Sequence, residues 1–398
     1  MADGTDGATG RGAPVVHVVL PDGVDDASRP SGGNVYDRRL CDGLASRGWL
    51  VREHVVAGRW PAPTPSALRA LGAAVAAVPD GEVVLVDGLI ASAAADVLVL
   101  ESRRVRLVVL LHMLLGEVVA DPVVSDRERA VLLAADAVVA TSPWTRERAL
   151  DRYGLDPVRV HVAEPGTDAA APVAARPAGT RLVCVAALTP NKGHDVLLDA
   201  LATLTDLPWT LTLVGSPTVD PAYADLLEHR ATGLQLTARI DRTGPLVGRA
   251  LDAAWSHADA LVLATRGETY GMVVTESLAR GLPVIASRVG GLPLALGHAA
   301  DGSRPGLLVP PDDPGALAVA LRSWLEDADL RARLRSAAAS RRTTLTGWDV
   351  TARRVAAVLD PLVPGATDLD DVAHADVVLR DVVLPQQTRS HVSDGVAR

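Results

Sequence analysis

Short apolar runs alternate with stretches of helical spacing along nearly the whole chain. In the first half, runs at 15–20, 50–56, 83–86, 107–111, 137–141 and 158–162 predict strands. Several are apolar at every position, as in strands covered on both faces of a parallel sheet. Between them apolar residues fall at helical intervals, as with Val35, Leu40 and Leu44. Residues 164–180 (EPGTDAAAPVAARPAGT) lose this period and have the Pro- and Gly-rich composition of an interdomain linker. The pattern then restarts. Strands are expected at 182–186, 210–214, 260–264, 284–287 and 307–309, and helices at 195–204, 271–280, 315–325, 330–344 and 349–359. Alternating βα units predict open α/β sheets wound on both sides.

A length of 398 residues suits two or three domains. The expected division is an extension at 1–12 without order, a first domain at 13–165, a linker at 166–180 and a second domain at 181–364. A tail at 365–398 either packs back or stays disordered. A net charge of −9 argues against a general nucleic-acid or anionic-membrane surface. The first residues (MADGTDGATGRG) are polar and lack a signal-peptide pattern. The longest greasy stretch, 107–115, is broken by His112 and is far short of the ~20 residues a membrane span needs. Cys41 and Cys184 stand alone in separate halves, which fits a reducing cytoplasm. Lys192 is the only lysine against 38 arginines, and Asn34 and Asn191 are the only asparagines. In so GC-rich a coding pattern, a retained lysine marks a place where arginine does not serve.

The most informative segment runs from Arg266 to Gly291 (RGETYGMVVTESLARGLPVIASRVGG). An apolar strand ends near Thr265, a loop holds Glu268, and a helix opens at Gly271 with Glu276 on its first turns. Free N–H groups at a helix start attract anions or sugar hydroxyls, and carboxylates grip hydroxyls through charge-assisted hydrogen bonds. Acidic residues near a helix start also occur simply because they suit the helix dipole. Other features read as ordinary. The acid run Asp368-Leu369-Asp370-Asp371 sits in the weakly patterned tail, Arg341 and Arg342 are expected on an exposed helix face, and Ser142 lacks a G-x-S-x-G frame. The ten histidines show no metal-ligand pairing, so no metal site is expected.

The segment from Arg266 resembles the E-x7-E signature of retaining glycosyltransferases of family 4, with Glu268 and Glu276 as its two acids and Gly271 as its glycine. The resemblance covers roughly residues 15–359. It includes the Gly32–Gly33 loop after the first strand, His112 at a mid-chain strand end, and Lys192-Gly193 after the first strand of the second half. It implies a GT-B fold: two facing Rossmann-like, doubly wound domains with an interdomain cleft. It implies a nucleotide-diphosphate sugar as co-substrate, no cofactor and no metal. Catalytic roles would fall to His112, Lys192 and Glu268. The donor would be bound by Gly32, Gly33, Asn191, Lys192, Glu268, Tyr270, Gly271, Met272, Val273 and Glu276. Glu276 would hold the ribose, Glu268 the hexose, and Lys192 with Gly32 and Gly33 the diphosphate. The family usually has an arginine where this chain has Ala187, and Asn191 or Arg266 could stand in. Acceptor choice is expected in first-domain loops such as the one at Arg59-Trp60-Pro61. A non-catalytic sugar-nucleotide binder, or a GT-B-shaped epimerase or phosphorylase, remains open on this reading.

Overall fold

The computed structural model describes residues 13–364. The expected extension at 1–12 and the tail at 365–398, with its acid run at Asp368, lie outside the described residues.

Two six-stranded sheets organise the protein, and every pairing in both is parallel. The first contains β1 (Val15–Pro21), β2 (Leu50–Val56), β3 (Val83–Asp87), β4 (Arg106–Leu111), β5 (Ala137–Ala140) and β6 (Val160–Val162), in the spatial order β2-β1-β3-β4-β5-β6. The second contains β7 (Arg181–Val185), β8 (Thr210–Val214), β9 (Ile240–Gly244), β10 (Ala260–Leu263), β11 (Val284–Ser287) and β12 (Gly306–Val309), in the order β12-β11-β10-β7-β8-β9. These are two Rossmann-like units. The runs without polar interruption are the central strands, buried at every position in β3, β5, β10 and β11. Helices cover both faces, so the core is built in layers above and below each sheet.

The orders fix where ligands can enter. In an open parallel sheet, loops leaving adjacent strands in opposite directions open a crevice at the strands' carboxyl ends. In the first sheet this point lies between β1 and β3, and in the second between β7 and β10. The segments leaving those four strands carry Gly32 and Gly33, Asp87, Lys192 and Glu268, in that order.

One helix crosses between the halves. Trp348–Leu359 is a helix, as its spacing predicts, but it does not pack with the second sheet. Ala352, Val355, Ala356 and Leu359 lie in the first sheet's core with Val16, Val18, Leu40 and Leu44. The expected second domain at 181–364 therefore returns its last helix to the first sheet. The crossing is tight: a Cβ on Gly166 would stand 2.3 Å from Trp348 N. Near it, Thr351 Oγ1 donates to Glu164 O at 2.7 Å and Tyr36 Oη donates to Ala163 O at 2.8 Å.

Candidate functional site

Between the two sheets lies a cleft of about 1360 Å³. Lining it are Gly32, Gly33 and His112 from the first sheet's side, and Lys192, Glu268, Tyr270, Gly271, Met272, Val273 and Glu276 from the second. Two helix N-termini meet here. The helix Gly32–Ser46 is capped by Ser31, whose side chain accepts from Asn34 N. Neither Gly32 nor Gly33 has positive φ; what they lack is bulk. A Cβ on Gly32 would sit 3.3 Å from Met272 Sδ, and one on Gly33 would sit 3.5 Å from the His112 ring. The second helix, Met272–Ala279, starts at Gly271, whose φ of +103° suits only glycine comfortably. First-turn N–H groups have no partner within their own helix, so both ends present donors and positive dipole ends.

Lys192 and Glu268 are joined, Nζ donating to Oε2 at 2.8 Å, each side chain partly buried. Lys192 closes a short 3₁₀ turn, and Gly193 after it takes φ +63° with its α-carbon against β10, where a Cβ would meet Ala264 O at 2.0 Å. The turn is thereby pressed onto the strand that feeds Glu268. Glu276 has a carboxyl with no hydrogen-bond partner among the described residues, and burial pushes it up to about 7 despite nearby Arg280. Opposite, His112 Nε2 lies 2.8 Å from Asp37 Oδ1 and 3.5 Å from Asp87 Oδ2. The segment beyond His112 is pinned by buried Glu128, which accepts from Leu115 N at 2.8 Å, Gly116 N at 3.0 Å, Ser92 Oγ at 2.8 Å and the Tyr153 hydroxyl.

The family model described as Glycosyltransferase Family 4 matches residues 30–171, and that described as Glycosyl transferases group 1 matches residues 172–341. The chain belongs to the family-4 glycosyltransferases. Its fold is GT-B. A relative named D-inositol 3-phosphate glycosyltransferase from Jonesia denitrificans is 34% identical over 254 residues, 58% of each chain. One of the same name from Thermomonospora curvata is 32% identical over 278 residues, 64% of this chain and 62% of its own length. The match thus spans less than two thirds of these relatives. Among solved structures, sucrose-phosphate synthase from Thermosynechococcus elongatus superposes with a TM-score of 0.73 at 23% identity, covering 88% of this chain and 99% of its own. Anabaena HepE in complex with UDP-glucose gives 0.70 at 19% identity, covering 87% and 99%. These two likenesses concern the fold.

Two residues expected to serve the donor in this family-4 chain are engaged elsewhere. Asn191 is not among the cleft-lining residues; its Nδ2 donates to Gly267 O at 3.0 Å, and its own carbonyl accepts from Arg266 N and Thr265 Oγ1. It shapes the loop before Glu268. Arg266, the other stand-in for the arginine absent at Ala187, forms paired bonds to Asp195 at 3.0 and 2.8 Å and one to Asp312 at 2.6 Å. It braces the outside of the turn, while Ala187 itself lines the cleft. The loop at 59–61 does not line the cleft either; Trp60 packs on the first sheet's core with Nε1 on Val56 O. Arg341 and Arg342 are half-buried braces rather than an exposed face, with Arg342 bridging Ala279 O and Ala170 O at 2.7 and 2.8 Å.

Three residues not singled out as site residues matter here. Asp37 and Asp87 stand behind His112. Ser142, after β5, donates to Thr269 O at 2.6 Å and so ties the first unit to the loop of Glu268. The visible signals were acids in apolar settings: Asp37 beside Tyr36, Leu40 and Cys41, and Asp87 ending the run VVLVD.

Proposed function

We propose that the protein is a retaining glycosyltransferase that moves a hexose from a nucleotide-diphosphate sugar to an acceptor held by the first unit. One observation carries this reading. Lys192, Glu268, Glu276 and two helix N-termini converge on one cleft, at the switch points of both sheets, with His112 on the facing wall. An ammonium and two helix starts suit a diphosphate. Their attraction grows as the leaving phosphate gains charge, which is where electrostatic stabilisation lowers a barrier. Glu276, with its carboxyl free of protein partners, suits the ribose hydroxyls, and Glu268, beside Lys192, suits the hexose. Ser142, Asn191 and Gly193 keep that loop in place.

On this assignment each acid near the sugar is occupied in the donor complex: Glu268 by the hexose hydroxyls, Glu276 by the ribose, and Asp87 by His112 and a helix start. This supports same-face attack, with the acceptor hydroxyl passing its proton to the departing phosphate, over a covalent glycosyl-enzyme. Positive charge at the phosphates comes from the protein, so we propose that no metal or other cofactor is needed. Among the described residues no helix is long and apolar enough to cross a membrane. With Cys41 and Cys184 both buried and free, we place the enzyme in the cytoplasm.

The relatives' name makes an inositol phosphate the first acceptor to try, and the UDP-glucose complex of the structural neighbour makes UDP-hexoses the first donors. The test is release of nucleoside diphosphate from a UDP-hexose panel, with and without D-inositol 3-phosphate and neutral polyols, in excess chelator, with the product anomer read by NMR. An α-linked product from an α-linked donor is expected. Tight donor binding with no turnover against any acceptor points to a binding protein, donor epimerised without acceptor to an epimerase, and a strict need for inorganic phosphate to a phosphorylase. Loss of activity in chelator, restored by Mg²⁺, would refute metal independence.

A further inference from the structure

His112 sits in a built pocket. A Cβ on Gly33 would already stand at van der Waals distance from the ring, and Tyr36 meets it edge-on with centroids 5.2 Å apart. Its Nε2 faces two carboxylates from different elements: Asp37, inside the helix Gly32–Ser46, and Asp87, at the end of β3. Both aspartates are almost fully buried, at 1% and 4% side-chain exposure. Asp87 Oδ1 is already used, accepting from Leu89 N at 2.8 Å and Ile90 N at 3.3 Å. Asp37 Oδ2 has no hydrogen-bond partner and no access to water.

Two buried carboxylates side by side are costly unless a proton or cation lies between them. The other groups around the ring do not supply one. The Tyr36 hydroxyl is turned to Ala163 O. Arg38, the next residue in the helix, is bound to Asp25 and Glu53. Just after β5, Thr141 Oγ1 donates to the His112 carbonyl and not to the ring. Two sources remain: a proton shared between the two acids, and the imidazole, whose Nε2 reaches both carboxylates. With Nε2 turned to the acids, Nδ1 is the ring nitrogen without a protein partner on a residue that lines the cleft.

We propose that Asp37 and Asp87 are positioning residues that hold His112 as an imidazolium, with its Nδ1–H directed as a cationic hydrogen-bond donor at an oxygen of the bound sugar-nucleotide. The ligand atom is a hexose hydroxyl or a phosphate oxygen; an imidazolium donates at Nδ1, where a neutral ring with its proton held at Nε2 would accept. The cleft then presents a charged N–H donor from the first unit as well as the Lys192 ammonium from the second. The direction of titration agrees. Burial alone pushes His112 down, but Asp37 and Asp87 outweigh it and hold it above the usual histidine value. Burial and the neighbouring Asp37 push Asp87 up to about 7.

The donor half of this proposal rests on the glycosyltransferase reading; the pocket chemistry does not. The test uses the full chain labelled with ¹⁵N-histidine, whose ring nitrogens report protonation and tautomer directly. His112 signals are identified by their loss in His112→Gln. Both nitrogens are expected at imidazolium positions at pH 7, with a midpoint above that of free histidine. Asp37→Asn is expected to lower that midpoint by tenfold or more, and Asp87→Asn by less, while the other histidine signals stay put. Asparagine still caps the helix after β3, so the second variant reports charge without loss of the cap. In UDP-glucose hydrolysis, Asp37→Asn is expected to cut kcat about 10- to 100-fold with little change in KM, and to shift the pH profile downward. A neutral Nε2–H ring at pH 7, or a midpoint unmoved in Asp37→Asn, overturns the proposal. So does selective broadening of His112 by Mn²⁺ reversed by chelator, which would make the cluster a cation site. Normal titration in the pocket with no UDP-sugar hydrolysed or bound would leave the pocket chemistry standing and reject UDP-sugars as the donor.

Discussion

Lys192 Nζ lies 2.8 Å from Glu268 Oε2, so the cation assigned to the diphosphate and the acid assigned to the hexose are partners before any donor arrives. On the proposed assignment, donor binding divides them. The diphosphate draws the ammonium, and the released carboxylate takes the hexose hydroxyls. An ion pair with this partial exposure contributes about 0.2–1 kcal/mol, so the exchange costs little and charges the sugar site only when phosphate is present.

Removing the cation tests the first half of that exchange. Lys192→Ala is expected to lower turnover by about 10²-fold, the usual effect of losing one electrostatic donor at a developing charge. Its side chain closes a surface turn, so thermal unfolding should move by no more than a few degrees. Steady-state release of nucleoside diphosphate checks it; activity near wild type would remove Lys192 from the mechanism.

Glu268→Gln tests the second half. Free nucleoside diphosphate has no hexose to lose, and Lys192 no longer has to leave a carboxylate. Calorimetry with UDP should therefore give affinity equal to wild type or up to about fivefold tighter, matching the small pair energy. Turnover should fall, because a misplaced sugar is costly in the transition state. Weaker UDP binding in this variant would sink the proposed division of labour.

Ser142 offers a test that touches no ligand. Its hydroxyl donates to Thr269 O at 2.6 Å and accepts from Thr145 N at 3.0 Å as the cap of the helix Pro143–Tyr153. Ser142→Ala loses both, for a total of about 2 kcal/mol. Ser142→Asp keeps the cap but has no proton for Thr269. Amide exchange in residues 266–271 should speed up in both variants, while the helix should loosen only in Ser142→Ala. Unchanged exchange at 266–271 in both would show that the bond does not hold the donor loop.

The sheets were legible because several of their strands are nearly continuous apolar runs, and Glu268 and Glu276 stood out because their eight-residue spacing belongs to one continuous segment. What escaped has physical causes. β9 is an edge strand carrying Asp241, Arg242 and Thr243, so it shows no apolar run. The helix Gly248–His257 buries Trp255 alone, too thin a stripe for a period. The helix Trp348–Leu359 was visible, but an apolar face does not say which sheet it covers. Asp37 and Asp87 sit 50 residues apart and meet only because β1 and β3 are neighbours with the Gly32 helix packed above them. Arg266 and Asn191 were visible in the sequence, but their partners were not: Asn191 turns to Gly267 O and Arg266 to Asp195 and Asp312, and spacing says nothing of which way a side chain turns.

Glu276 yields the sharpest dependence on pH. Burial pushes its carboxyl up to about 7 in the free protein, from an ordinary value of 4.5. A carboxylate accepts two ribose hydroxyls, whereas a protonated carboxyl loses part of that capacity, so donor binding favours the ionised form. UDP affinity should then rise as pH climbs from 6 to 8 and level off above it, with a proton released on binding below about pH 7. The same shift acts on stability with opposite sign. The folded state binds the proton more tightly than the unfolded chain, so stability falls as pH rises from 4.5 through 7, and the penalty is complete above 7. Glu276→Gln removes that penalty and should raise the melting temperature at pH 8 by about 1–2 °C, the shift expected for ~1 kcal/mol at an unfolding entropy of about 2.1 cal/mol/K per residue over a chain of this length. It should also weaken UDP binding roughly 10- to 100-fold, for one charged hydrogen bond lost, and flatten the pH dependence. Calorimetry in buffers of different ionisation enthalpy, paired with melting curves at pH 6 and 8, reads all three. A Glu276→Gln variant that binds UDP with the wild-type pH profile would take the ribose away from this residue.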